Sequence, residues 1–238
     1  MKIGIIGAME EEIRYLKEVI QEQEVIHYHN FEFTTGKLGQ HAVVLILSGI
    51  GKVNATISAL LLKEKFNVDV MINTGSAGGI DPALEVGDVV IAHSLVHHDV
   101  DVTGFGYEPG QMAGMPNVYY PNTQLMRAAQ EACREMAIEP VIGQIASGDQ
   151  FINSASKIAT IATTFPTVRA AEMESAAIAQ TAYVLGVPFV IIRAISDSAN
   201  EEASMSFDQF ILLAGKVSAS LVTKLVESLP ETIKVSED

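Results

Sequence analysis

The chain has 238 residues, of which 48% are hydrophobic and 18% charged; that composition fits one large core, or at most two small ones, and excludes a disordered chain. Acidic residues outnumber basic ones 29 to 15, for a formal net charge of −14, so nucleic acid and anionic membrane surfaces are excluded as partners and a neutral or cationic small molecule is the easier guest.

The first strand pattern covers residues 2–7 and leads into Met9 and Glu10-Glu11-Glu12. Carboxylates so early interrupt any secretory apolar segment, so no leader is expected. A helix follows over 9–21, with Ile13, Leu16, Val19 and Ile20 at helical spacing and acids in its first turn. Residues 25–39 alternate and carry aromatics, which predicts a hairpin and therefore a mixed sheet. Residues 42–48 read as a strand. A helix over 51–65 repeats Val53, Ile57, Leu60 and Leu61. Further buried strands are expected at 68–74, 88–93, 141–147 and 189–195, each nearly continuous in Val, Ile, Leu and Ala.

The loop 104–121 collects Pro and Gly together with Phe105, Tyr107, Met112, Met115 and Tyr119. So much apolar surface on a loop calls for a cover, either ligand or a second subunit. A helix over 123–136 contains Cys133, the only cysteine; no internal disulfide can form, and a cytoplasmic location is expected. The last apolar stripe runs through Phe207, Phe210, Ile211, Ala214, Val217, Leu221 and Leu225. No apolar run approaches the roughly 18 residues of a membrane span. Strands alternating with helices give an α/β fold in one domain, residues 1–229, with 230–238 as a flexible tail.

Several motifs fail on inspection. Gly49-Ile50-Gly51-Lys52-Val53-Asn54 starts like a dinucleotide fingerprint, but Asn54 replaces the third glycine, and no Ser or Thr follows Lys52 as a phosphate loop requires. It reads as a strand-to-helix turn, placed where α/β folds bind ligands. His97-His98-Asp99-Val100-Asp101 resembles a metal cluster, yet neighbouring residues on an extended chain face opposite ways. No metal is expected there, and Cys133 reads as a packing residue.

Four stretches place polar groups where strands end. Glu10-Glu11-Glu12 opens a helix and is either dipole-matched surface or functional. The run from Asn73 to Gly79 is a small-residue turn that lets backbone N–H groups approach a ligand, or an ordinary tight turn. In Arg169-Ala170-Ala171-Glu172-Met173-Glu174 a strand ends and a helix of small residues begins, and one of Glu172 and Glu174 either enters a site or complements the helix dipole. Arg193 and Asp197 follow a very apolar strand; four residues apart, they are expected to emerge on one face. Burying both for structure alone is costly, which favours function.

Taken in order, Gly4–Glu12, Ser48–Val53, Asn73–Gly79, Ser147-Gly148-Asp149, Glu172-Met173-Glu174 and Arg193–Asp197 resemble the 5′-methylthioadenosine/S-adenosylhomocysteine nucleosidases of the nucleoside phosphorylase superfamily. The likeness spans Met1 to about Leu229. It implies a three-layer, nucleoside phosphorylase-like fold with a central mixed sheet flanked by helices. It further implies hydrolysis of the N-glycosidic bond of methylthioadenosine, S-adenosylhomocysteine and 5′-deoxyadenosine, releasing adenine, with a place in methionine salvage and the recycling of S-adenosylmethionine by-products. No cofactor is implied. By the same resemblance Asp197 protonates N7 of adenine with help from Ser196, and Glu12 activates water with help from Arg193. Glu174 and the Met173 backbone bind the ribose, Phe151 stacks on the purine, and Ile152 offers it backbone hydrogen bonds. Ser76 and Gly78 shape the floor beneath the sugar. Met9, Ile50 and Phe207 line the 5′ pocket, with Val102, Phe105 and Tyr107 reaching in from a second subunit of a homodimer that meets across residues 102–121. Ala113, where the family often has proline, alters the 5′-pocket wall; Ser175 stands where alanine is common.

These residue types suit the chemistry. Adenine leaves poorly as an anion, and a positioned acid gives typically about 10²–10⁴-fold. Aspartic acid starts near pKa 3.9, so donation at neutral pH needs a rise of roughly three units, or about 4 kcal/mol; burial and a hydrogen bond to N7 are the available sources. Phosphorolysis would need arginines or a free helix start for phosphate. The glutamates after the first strand oppose that, so water is the expected nucleophile. The rivals are an aminodeoxyfutalosine hydrolase, a phosphate-dependent nucleoside phosphorylase, a non-catalytic nucleoside-binding module and a nucleotide-binding oxidoreductase. The last lacks its glycine fingerprint.

Overall fold

A computed structural model describes residues 1–197 and 203–233, with backbone alone for 203–209. In chain order the elements are β1 (Lys2–Gly7), α1 (Glu10–Val19), β2 (Gln21–Tyr28), β3 (Phe31–Leu38), β4 (His41–Leu47), α2 (Lys52–Phe66), β5 (Val70–Gly79), β6 (Val89–His97), α3 (Thr123–Glu135), β7 (Val141–Ser147), α4 (Ala155–Thr164), β8 (Val168–Glu172), α5 (Ser175–Leu185), β9 (Phe189–Asp197) and α6 (Ala203–Ser228). The sheet runs β2-β3-β4-β1-β5-β8-β7-β6-β9, and β9 also pairs with β5. Five strands therefore close a ring, from which β1, β4 and the β2–β3 hairpin extend as a wing. The sheet is mixed: β1 is parallel to both β4 and β5, whereas β5–β8 and β6–β9 are antiparallel.

Alternation along β1 explains the layering. Ile3 and Ile5 face a core shared with Ile13 and Leu16 of α1, Leu125 of α3 and Leu221 of α6. Ile6 faces the opposite core, with Leu62 of α2 and Ile178 of α5. Gly4 belongs to that second side, where a Cβ would stand 2.9 Å from Leu62 Cδ1. Helices thus cover both faces of a central sheet, giving three layers. Among the described residues no helix is long and apolar enough to cross a membrane.

Three elements differ from the sequence expectation. The small-residue run from Asn73 to Gly79 is not a turn; it continues β5, held by β9 on one side and by β8 at Gly78 and Gly79. Three of the four residues in the apolar repeat of α2 point outward: Val53, Ile57 and Leu60 are exposed and Leu61 packs partly against the core, while Ala55, Ser58, Ala59 and Leu62 are buried. Small residues there let α2 lie close to the alanine-rich α5, so size rather than hydrophobicity marks its inner face. Helix α4 was not legible, being built largely from Ala, Thr and Ser with few residues to mark an inner face. Of the expected tail, Ile233 packs against the α6 core, and residues 234–238 lie outside the described part.

The glycines bring the ends of the chain together. Gly215 of α6 lies against the first turn of α1, where a Cβ would approach the Glu12 Cα to 3.3 Å. The last helix therefore seats the first.

Candidate active site

The C-terminal ends of β1, β5, β8 and β9, with the segments after β4 and β7, surround a cavity of about 310 Å³. Glu12, Ser76, Gly78, Glu174, Ser196 and Asp197 line it, joined by Met9, Ile50, Phe151 and Met173. Ile152 lines a recess of about 30 Å³ continuous with it beside Phe151 and Met173. Ten predicted site residues thus share one wall, and Ile152 stands next to it.

Glu12 owes its place to the start of α1. It is the third residue of the helix and turns back, so that Oε2 accepts the N–H groups of Ala8 at 2.8 Å and Met9 at 3.1 Å. Its other oxygen accepts the Ser76 N–H at 2.9 Å and the Ser76 hydroxyl at 3.0 Å. Four donors and a helix N-terminus therefore hold a carboxylate that is 2% exposed. Of the three adjacent glutamates only Glu12 is buried, so the surface reading does not hold for it.

Asp197 is also buried and accepts a hydrogen bond from the Ser196 hydroxyl at 2.9 Å. The pairing of β5 with β9 slips by one residue between Ile195 and Asp197, so that Ser196 is the extra residue of a bulge. This local kink re-aims the strand end. As a result Arg193 and Asp197 do not emerge together: Asp197 lines the cavity and Arg193 lies beneath the wall.

Arg193 is 1% exposed and is the largest fully buried side chain described. Its Nη2 donates to Asn73 Oδ1 at 2.7 Å, to Ser175 Oγ at 2.9 Å and to Glu172 Oε2. Nε reaches Ser175 Oγ at 3.2 Å and Nη1 reaches the Ser76 carbonyl at 3.3 Å. It stands near Glu12 across Gly75, whose missing Cβ would come within 2.7 Å of Glu12 Oε1, but no hydrogen bond joins the two. Glu172 in turn accepts the Ser147 hydroxyl and the N–H groups of Glu174 and Ser175. Asn73, Ser147, Glu172 and Ser175 thus form the cage that sequence reading missed as a unit. Its signal was polar residues within β5, at the ends of β7 and β8 and at the start of α5.

Glu174 accepts the Gly51 N–H at 2.9 Å and lies 3.6 Å from Arg193 Nη2. Burial pushes its carboxyl up to about 8, with the charge of Glu172 adding to the rise and Arg193 and the Gly51 N–H opposing it. The cavity wall carries Glu12, Glu172, Glu174 and Asp197, and no Lys, Arg or His among the described residues.

The other expected residues lie elsewhere. Val102, Phe105 and Tyr107 do not line this cavity, and Phe105 is 86% exposed. Phe207 stands on α6 where side chains are outside the description. The histidine cluster disperses: His97 Nε2 pairs with Gln180 Oε1 at 2.9 Å, His98 packs on Gly148, and Asp99 pairs with Lys52. Cys133 is buried, its thiol pushed up to about 11 by that burial.

An acid-lined cavity at the strand ends of a partly closed mixed sheet defines a class of protein. The model of the Phosphorylase superfamily matches residues 2–227, and the chain belongs to that superfamily. A 5′-methylthioadenosine/S-adenosylhomocysteine nucleosidase from Geobacillus sp. (strain WCH70) is 51% identical over 96% of this chain and 99% of the relative. The nucleosidase of that description from Neisseria meningitidis, in complex with methylthio-immucillin-A, has a TM-score of 0.95 at 46% identity, covering 96% of this chain and 99% of that one. Futalosine hydrolase of Helicobacter pylori strain 26695 has a TM-score of 0.93 at 34% identity, covering 96% and 98%. Within the superfamily, the chain belongs to the 5′-methylthioadenosine/S-adenosylhomocysteine nucleosidases.

Two predictions follow from the cage and its neighbour. Glu172→Gln leaves the buried guanidinium without its nearest counter-charge and is expected to cost about 3–5 kcal/mol of stability, read from urea unfolding midpoints. The raised Glu174 carboxyl binds its proton more tightly folded than unfolded. Stability from this group is complete below about pH 4.5 and declines as pH rises toward 8, by at most about 1.4 kcal/mol per pH unit. Glu174→Gln is expected to flatten that decline; thermal unfolding from pH 5 to 8 in both proteins checks it.

Proposed function

We propose that this protein hydrolyses the N-glycosidic bond of 5′-methylthioadenosine and S-adenosylhomocysteine, releasing adenine and the 5′-substituted ribose. The observation that carries this reading is the pair of buried carboxylates, Glu12 and Asp197, on the wall of one cavity at the strand ends. Asp197, steadied by the Ser196 hydroxyl, delivers a proton to N7 so that adenine departs neutral. Glu12, fixed by Ser76 and the start of α1, takes the proton from the attacking water. Positive charge growing on the sugar is met by the surrounding carboxylates. Arg193 contributes by holding Glu172 and the Ser76 carbonyl, not by binding substrate.

Glu174 and the Met173 backbone hold the ribose hydroxyls, above Ser76 and Gly78. Phe151 and Ile50 are 41% and 51% exposed at the cavity mouth; a stacked purine and a 5′ substituent give these apolar faces a cover. Ile152 binds the purine edge through its backbone, and Met9 lines the 5′ pocket. Water is favoured over phosphate because the described wall presents the Glu12 carboxylate and no Lys, Arg or His to hold a dianion.

The catalytic unit is residues 1–229, acting in the cytoplasm as a homodimer. An apolar groove of about 370 Å³, lined in part by Leu60, Val100, Met112 and Val184, supports the pairing. In the dimer Val102, Phe105 and Tyr107 reach the partner's 5′ pocket. The 34% identity to a futalosine hydrolase over nearly the full chain makes aminodeoxyfutalosine the substrate to test beside the thionucleosides.

Adenine release is measured from methylthioadenosine, S-adenosylhomocysteine and aminodeoxyfutalosine, without phosphate. The thionucleosides are expected to be cleaved fastest, and strict phosphate dependence overturns the reading. Asp197→Asn is expected to lower kcat at least 10²-fold while nucleoside still binds; near-normal turnover removes the acid role. Sedimentation is expected to find a dimer, and a fully active monomer removes the shared pocket.

A further inference from the structure

Helix α2 starts without a cap of its own. Its N-cap is Gly51 at φ +97°, and no side chain at that position bonds the first turn. Asp149, from the segment after β7, supplies the missing acceptor: its Oδ1 receives the Lys52 N–H at 2.8 Å. The Asp149 N–H donates to Asp99 Oδ2 at 2.9 Å, and Asp99 Oδ1 receives the Lys52 ammonium at 2.6 Å. Three contacts therefore close a ring between the segments after β4, β6 and β7. Gly51 is required in it, since a Cβ would sit 3.1 Å from Asp149 Oδ1 at an unfavourable φ.

The ring is better shielded than a surface ion pair, the Lys52 and Asp99 side chains being 20% and 13% exposed. Burial pushes the Asp99 carboxyl up, yet the Lys52 ammonium and the Asp149 N–H outweigh it and hold the group below its usual range. Two corners of the ring adjoin the cavity. Gly51, next to Lys52, donates its N–H to Glu174. Phe151 and Ile152 lie two and three residues beyond Asp149.

We propose that Lys52, Asp99 and Asp149 are positioning residues that latch the purine-facing segment to the carboxylate that holds the ribose, so that the two halves of the substrate are bound cooperatively. This rests on the roles given above to Phe151 and Glu174. The latch touches neither half of the substrate; it fixes the distance between the groups that do.

A double-mutant cycle on kcat/KM for methylthioadenosine tests it, using Phe151→Ala and Glu174→Gln in the wild-type protein and again in Asp99→Asn and Lys52→Met proteins. In the wild type the combined loss is expected to differ from the product of the single losses by at least about fivefold. In either latch variant the product rule is expected to return to within about twofold. Latch loss alone should raise KM about tenfold and lower kcat less than threefold, whereas Lys52→Arg should preserve the coupling. Should Asp99→Asn fail to fold, judged by near-UV dichroism, Lys52→Met carries the test. Unchanged coupling in the latch variants, or none in the wild type, overturns the proposal. If neither single variant at Phe151 and Glu174 alters kcat/KM, the site assignment is wrong and the latch falls with it.

Discussion

A guanidinium taken out of water in the middle of a sheet is costly, and the site is organised around meeting that cost. Arg193 is satisfied from β5 through Asn73 and the Ser76 carbonyl, from β8 through Glu172, and from α5 through Ser175. Of these partners Ser76 and Glu172 also border the cavity, while Asn73 lies within β5 and Ser175 opens α5. The cage thus ties the backbone of β5, β8 and β9 into one frame before any substrate is considered. Removing Arg193 leaves Glu172 as an uncompensated buried charge, and removing Glu172 leaves Arg193 only the longer contact to Glu174.

That frame explains why so many acids tolerate one small space. Glu172 is neutralised by Arg193, and Glu12 is bound by four donors. Glu174 has a single backbone donor and a longer contact to Arg193, and it absorbs the remaining repulsion as a raised proton affinity. The carboxylates are therefore not equivalent. Their differences come from how many donors each strand end presents, the kind of environmental contrast that separates acid and base roles.

The layers and most strands were legible because strands buried on both faces read as unbroken apolar runs. The cavity residues were legible because charges at the ends of such runs are hard to explain otherwise. What sequence could not supply was register. The bulge at Ser196 separates Arg193 from Asp197 by an offset of one residue, and nothing local to Ile195-Ser196-Asp197 marks it. Nor could it show that β5 continues through Gly79, since glycine and alanine there signal a turn unless a neighbouring strand is known. The inner face of α2 was misjudged because closeness to α5 selects small side chains over large apolar ones.

Gly215 carries a consequence for assembly. By letting α6 rest on the opening turn of α1, it makes the seating of Glu12 depend on chain some 200 residues further on. During synthesis β1 and α1 precede α6 by some 200 residues, and Glu12 gains its floor only after α6 docks. Contacts of such long sequence separation slow folding. The partly made chain therefore carries an apolar sheet face open to water until α6 has been made.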